Sequence, residues 1–195
     1  PAFGANLVEA FPPKTVKPGD VFICNDPWLC NGQTADIFIT TPAFHKGKLI
    51  GFSVNTIHHV DIGGRKGSGL SEEVFEEGLI IPMLRLYDAG QPNEMLFDLI
   101  RRNVRYSEKM IGDLRAQVAT GWAGCRELER LCAEFDFPDL REVSDEITGR
   151  TEEGIRAGLR ELPDGEWREE MMMDIDGIDD PQPLVVTVKI EGDQL

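Results

Sequence analysis

Hydrophobic and polar positions along this chain fall into three successive regimes. In the first, short apolar, β-branched runs are separated by turn residues. Val21-Phe22-Ile23-Cys24 predicts a short buried strand, Ile37 to Phe44 a second and Leu49 to His58 a third, with His45-Lys46-Gly47-Lys48 as the hairpin turn between the last two. Gly78 to Tyr87 predicts a fourth strand, ended by the turn Asp88-Ala89-Gly90. Ahead of them, Ala5 to Phe11 predicts a short helix stopped by Pro12 and Pro13, and Pro18-Gly19-Asp20 marks a turn. Two polar stretches interrupt the apolar runs. One covers residues 25–36, and the other runs from Asp61 to Ser71 with glycines at 63, 64, 67 and 69; both predict loops.

From Asn93 the spacing lengthens to that of a helix. Met95, Leu96, Leu99, Ile100 and Val104 recur at helical intervals. A longer helix opens at Ser107, whose hydroxyl suits a cap and whose neighbour Glu108 suits the positive end of the helix dipole. Its expected buried stripe is Met110, Ile111, Leu114, Val118, Trp122, Cys125, Leu128 and Cys132. A third helix is expected from about Pro138-Asp139 to Leu162, with the stripe Leu140, Val143, Ile147, Ile155 and Leu159 and a heavily charged opposite face. After the turn Pro163-Asp164-Gly165, Trp167 to Ile175 and Leu184 to Ile190 predict two further strands. Strands, then helices, then strands predict an α+β architecture rather than βαβ units. The expected layout is a mixed or antiparallel sheet with site loops over 1–91, a helical segment over 92–162 and a further β region over 163–195.

Charge and composition narrow the function classes. The chain has 195 residues, 41% of them hydrophobic, with 20 basic against 35 acidic residues and a formal net charge of -15. That balance speaks against a nucleic-acid or anionic-membrane surface, which needs a basic face. No apolar run approaches the roughly 18–20 residues of a membrane span, and no basic segment followed by an apolar one opens the chain. Cys24, Cys30, Cys125 and Cys132 lack zinc-site spacing, so free thiols in a reducing cytoplasm are expected. The opening Pro1-Ala2-Phe3-Gly4 and the closing strand-like run lead to the expectation that the chain is part of a longer one.

The candidate chemistry gathers at the ends of the predicted strands. His58 and His59 end one strand, and Asp61 follows at the mouth of the glycine loop. Neighbours on a strand face opposite sides, so one imidazole can face a site while the other packs behind it. Histidine and aspartate together suit zinc, manganese or iron, and Gly63 and Gly64 let backbone N–H groups approach a ligand. The bland alternative is a pair of strand-end histidines with Asp61 capping a turn. Asn25-Asp26-Pro27-Trp28 also follows a buried strand, and Asp36 precedes the next; pairing of the strands would bring both loops to one end of the sheet. The stretch Gly63 to Gly69 carries Arg65 and Lys66 and is a weaker candidate for phosphate, without Walker spacing. Of the acidic cluster Glu72, Glu73, Glu76 and Glu77, Glu77 is the one placed to face the site. Asp113 and Gln117, four apart on a helix, are expected to tie that helix to a loop.

Several ordered motifs carry a resemblance. These are Gly19-Asp20-Val21-Phe22-Ile23 with Asn25-Asp26-Pro27-Trp28, then His58-His59 with Asp61-Ile62-Gly63-Gly64, then Glu76-Glu77-Gly78-Leu79 with Ile81-Pro82, then Asn103-Val104-Arg105 and Gly112-Asp113-Leu114-Arg115-Ala116-Gln117. In that order they resemble the hydantoinase B/oxoprolinase family, closely over about residues 1–135 and more loosely beyond. The resemblance implies a B-type portion of an ATP-dependent amide or lactam hydrolase, or of a related carboxylase. It also implies an A-type, ATP-using partner subunit or domain that activates the substrate by phosphorylation, in a cytoplasmic hetero-oligomer. A divalent metal in the B-type part would act as a Lewis acid or activate water. By position His58 matches a metal-ligand histidine, with Asp61 in the same motif and Asp36 nearby. Where this chain reads Gly32-Gln33, family members typically carry a ligand histidine, and Gln33 offers only an amide oxygen. The candidate set is therefore His59, Asp26 and Asn25 as catalytic residues, Gly63 and Gly64 against a bound group, and His58, Asp61, Asp36 and Gln33 toward the metal. A non-catalytic assembly module with a decayed metal site is the alternative.

Overall fold

A computed structural model describes residues 2–30, 32–65, 71–175 and 178–194. Helix α1 (Ala2–Ala10) precedes strands β1 (Val21–Cys24), β2 (Asp36–His45) and β3 (Lys48–His58). Strands β4 (Leu84–Asp88) and β5 (Gln91–Pro92) follow, then helices α2 (Glu94–Asn103), α3 (Ser107–Glu134) and α4 (Arg141–Arg160), and last β6 (Gly165–Met173) and β7 (Gln182–Ile190). The α+β expectation holds: β1 to β5 form one antiparallel sheet in the order β3-β2-β1-β4-β5, and β6 pairs antiparallel with β7.

The chain divides into two compact units, one ending at Leu140 and the other beginning at Arg141. The expected helical segment is thus shared between them. In the first unit α2 and α3 cover one face of the sheet. Val21, Ile23, Ile37, Ile39 and Leu86 meet Phe97, Ile100, Met110, Leu114 and Val118 in a core from which water is excluded. The opposite face of β1 is covered as well, by Leu7 and Val16 against Phe22, with the Phe11 and Phe22 rings stacked 4.4 Å apart. That two-sided burial explains why β1 is uninterruptedly apolar while its neighbours alternate. At roughly 1.5–3 kcal/mol per fully buried large side chain, this sandwich is the main stabilising element of the unit.

Helix α3 lies close on β2 and β3 because Gly121 and Gly124 face them. A Cβ at Gly121 would stand 2.2 Å from Thr41 Oγ1, and one at Gly124 2.3 Å from Ser53 Oγ. The Cys125 thiol donates to the Thr41 carbonyl at 3.3 Å.

Three expectations shift. The strand expected from Gly78 to Tyr87 pairs regularly only over Leu84–Asp88, because residues 79–81 are tied instead to residue 62 and to Asn25. In α2 the buried residues are Leu96, Phe97 and Ile100, while Met95 and Leu99 face solvent. The N-terminus of α3 draws no side-chain cap from Ser107. The second unit pairs α4 with the β6–β7 hairpin; α4 has no buried residue, and Arg156 and Arg160 both bind Asp193.

Candidate functional site

Strand register sets the first pair of functional side chains. Asp36 opens β2, His58 closes β3, and the two stand directly opposite in the ladder. Cross-strand neighbours on one face lie within reach of each other, and Asp36 Oδ1 meets His58 Nδ1 at 2.8 Å. The carboxylate is mostly covered, whereas the imidazole is largely open to solvent. A carboxylate on one ring nitrogen fixes the orientation of the ring and raises the basicity of the other nitrogen.

His59, one residue on, points the other way and is buried beneath the sheet end. Its backbone N–H donates to the Ala35 carbonyl at 2.9 Å, which carries the pairing with the chain ahead of β2 one step further. Its Nε2 lies 3.0 Å from Gln117 Oε1, and Gln117 Nε2 in turn donates to the Ile37 carbonyl at 2.9 Å. Burial holds the His59 imidazole below its ordinary pKa and outweighs the opposing effect of the Gln117 hydrogen bond. Among the described residues its Nδ1 is buried without a hydrogen-bond partner.

His58 and His59 line a polar cavity of about 280 Å³ with Gln33, Thr34, Gly63, Arg65 and Glu77. The Thr34 hydroxyl donates to Glu77 Oε2 at 2.7 Å, so the expected acidic residue does face the cavity. Arg65, on the same wall, approaches Glu76 at 3.6 Å.

Asp61 and Gly63 also line this cavity. Asn25 is fully buried; its Nδ2 donates to the carbonyls of Thr34 and Leu79, its Oδ1 accepts from the Ile81 N–H, and its own N–H reaches the Ile81 carbonyl. With its amide fully used, Asn25 ties three segments together and has nothing left for substrate. Asp61 likewise spends its carboxylate on the chain itself. One carboxylate oxygen accepts from the backbone N–H groups of Arg105 and Tyr106, the other from the Arg105 guanidinium at 2.7 Å and the Gly63 N–H at 3.2 Å. Burial pushes the carboxyl up, but the hydrogen bonds from Arg105, Gly63 and Tyr106 outweigh it and the net shift is downward. Asp61 is thus the anion that locks the turn ahead of α3, the capping role that was the blander expectation.

Gly63 and Gly64 have φ of 85° and 59°. A Cβ at Gly63 would stand 2.3 Å from the Asn103 carbonyl oxygen, and one at Gly64 2.4 Å from the backbone of 77–78. Their conformation serves chain-to-chain packing, and the Gly63 N–H is spent on Asp61. Asp26 Oδ1 accepts from the Trp28 N–H at 3.0 Å, closing an Asx turn. The Cys24 and Cys30 thiols are hydrogen-bonded to each other across this turn, and that contact together with burial pushes the Cys30 thiol up. Residues 66–70, part of the glycine-rich phosphate candidate, lie outside the described residues.

The donor chemistry of Asp36, His58 and Gln33 fits a divalent cation held by two strong donors and one weak one. Among the described residues, no group of three or more His, Cys, Asp or Glu side chains could hold a metal ion. Sequence reasoning missed Arg105 as the partner of Asp61 and Gln117 as the partner of His59. The available signals were an arginine in a motif beside a buried helix start and a glutamine on an otherwise apolar stripe. The expected tie from that helix to the loop side is the one Gln117 makes.

Comparison with known proteins bears directly on this geometry. The family profile described as Hydantoinase B/oxoprolinase matches residues 3–195. A putative D-/L-hydantoinase B-type subunit of Pseudomonas sp. (strain NS671) is 32% identical over 191 residues, 93% of this chain and 32% of that protein. The beta subunit of the caprolactamase of Pseudomonas jessenii is 33% identical over 153 residues, 77% of this chain and 26% of that one. The crystal structure of ATP-dependent caprolactamase from Pseudomonas jessenii superposes on the whole chain with a TM-score of 0.88 at 28% identity, over 35% of its own chain. The chain spans about a third of the length of these relatives.

Proposed function

Because the chain belongs to the hydantoinase B/oxoprolinase family, we propose that it is the B-type portion of an ATP-dependent enzyme acting on cyclic amides such as hydantoins, oxoproline or lactams. The related carboxylases remain the neighbouring chemistry. In this reading an A-type, ATP-using partner subunit or domain activates the substrate carbonyl by phosphorylation, and the 280 Å³ cavity receives the activated molecule. The single observation that carries the reading is the Asp36–His58 pair, whose histidine lines that cavity. Relatives named as B-type or beta subunits support a hetero-oligomer. Among the described residues, no helix is long and apolar enough to cross a membrane.

A divalent cation, zinc, manganese or iron, would be held by Asp36 and His58, with Gln33 as the weak third donor. When bound it supplies Lewis-acid polarisation of the substrate oxygen or a more acidic water. The chain's own residues do the rest. The carboxylate of Asp36 orients the His58 ring. Thr34 and Glu77 present a hydroxyl and a carboxylate along one wall, and Arg65 places a cation where the charge of an activated carbonyl would develop. His59 and Asp26 line or border the same end of the sheet as candidate catalytic groups.

One observation favours a second reading. Gln33 stands where the family resemblance implies a ligand histidine, and a decayed site would leave the chain as a non-catalytic assembly module. Metal content of the full-length subunit, measured with turnover before and after chelation, separates the two. Stoichiometric metal and loss of turnover on chelation are expected; a metal-free subunit with full turnover would overturn the metal role.

A further inference from the structure

His59 presents an unsolved demand. His59 is among the residues lining the cavity and is 3% exposed, and among the described residues its Nδ1 has no hydrogen-bond partner. Leaving a buried acceptor unpaired is costly, so its persistence asks for a reason. The other edge of the ring is fully specified. A backbone carbonyl can only accept, so the contact of Gln117 with the Ile37 carbonyl must use the amide NH₂. That leaves the Gln117 amide oxygen facing His59, and an oxygen there requires the proton on His59 Nε2. The chain Ile37 carbonyl, Gln117 amide, His59 imidazole therefore has only one arrangement of donors and acceptors. The backbone carbonyl of Gln117 also accepts from Asn55 Nδ2 at 3.0 Å, which holds this turn of α3 against β3.

We infer that Gln117 is a positioning residue: it fixes His59 as the Nε2–H tautomer and so holds the Nδ1 lone pair as a hydrogen-bond acceptor for an N–H or O–H donor of whatever enters the cavity. The chemical class that fits is a small polar molecule with a ring N–H or hydroxyl, and a cyclic amide has such a donor beside its carbonyl. This last step rests on the proposed function, whereas the assignment of the tautomer does not. Gln117 belongs to α3, and its buried amide touches no part of the cavity itself, so its influence reaches a ligand through His59 alone.

The test is the long-range proton–nitrogen spectrum of the full-length protein labelled with ¹⁵N-histidine, the His59 signals being assigned by their loss in His59→Phe. The ligand-free wild type is expected to show a bare Nδ1 and a protonated Nε2. Gln117→Met, which matches the side chain in length but cannot accept, is expected to admit the Nδ1–H tautomer. With hydantoin, 5-oxoproline and caprolactam as probes in the complete complex, kcat/KM should fall roughly tenfold in Gln117→Met, the equivalent of one hydrogen bond. A wild type with the proton on Nδ1 would overturn the inference, as would a folded Gln117→Met whose tautomer is unchanged. Should Gln117→Met fail to fold, the wild-type spectrum still decides. Should none of the three cyclic amides be turned over, the proposed substrate class falls, while the spectrum still decides the role of Gln117.

Discussion

Asn25 and Asp26 are adjacent in sequence and opposite in what they do. Asn25 spends every polar atom on three buried chain segments, so Asn25→Asp would set a carboxylate oxygen against the Thr34 and Leu79 carbonyls. The expected cost is about 3 kcal/mol or more, read as a lowered denaturation midpoint of the sheet-bearing unit. Asp26→Asn keeps the acceptor for the Trp28 N–H and should change stability by less than about 1 kcal/mol; a large loss of turnover without loss of fold would then mark Asp26 as a reacting group. Gly64 is a third such position. Its φ of 59° and the 2.4 Å approach to the backbone of 77–78 leave no room for a methyl group, so Gly64→Ala should destabilise by about 2 kcal/mol or more in the same unfolding measurement.

At the scale of elements, the turn into α3 depends on Asp61. Its folded pKa lies below the unfolded carboxylate value of about 3.9. The group therefore contributes stability that is complete above the unfolded pKa and is lost as pH falls through the lower, folded one. The stability difference between the wild type and Asp61→Asn should be constant near neutral pH and shrink only as the solution is acidified below the usual carboxylate range. Urea unfolding at a series of pH values measures it; a difference that grew on acidification would contradict the assignment. Gly121→Ala tests the seating of α3 on β2. Alanine favours a helix by about 1 kcal/mol, but the 2.2 Å approach to Thr41 Oγ1 must be relieved, and net destabilisation is expected.

These elements also show what the sequence made legible. The strands at 21–24, 37–44 and 49–58 and the helix from Ser107 were readable because their apolar periods are long and clean. Asp36 and His58 were readable as site residues because each bounds a strand, and the register that makes them partners follows from a short hairpin turn. The partners of Asp61 and Gln117 were not readable. Each is defined by partners far along the chain, Arg105 for the one and His59 with Ile37 for the other, and no local pattern encodes such a pairing. The extent of the fourth strand failed for a related reason: the side chain of Asn25 competes for the backbone that pairing would have used.

For the whole molecule, the first unit carries the cavity and every candidate site residue, while α4 and the β6–β7 hairpin form the second. Membership of the hydantoinase B/oxoprolinase family and a span of about a third of its relatives underlie the proposal of a larger, ATP-using assembly. The proposal that the Asp36–His58 pair is its reactive centre is best tested by turnover in that assembly. The full-length subunit, combined with its ATP-using partner, is to be assayed for ATP-dependent consumption of hydantoin, 5-oxoproline and caprolactam, with His58→Ala alongside and assembly checked by size. Turnover of at least one cyclic amide by the wild type, reduced roughly 100-fold in an assembled His58→Ala complex, is the predicted result. An assembled His58→Ala complex that turns over at the wild-type rate would contradict it.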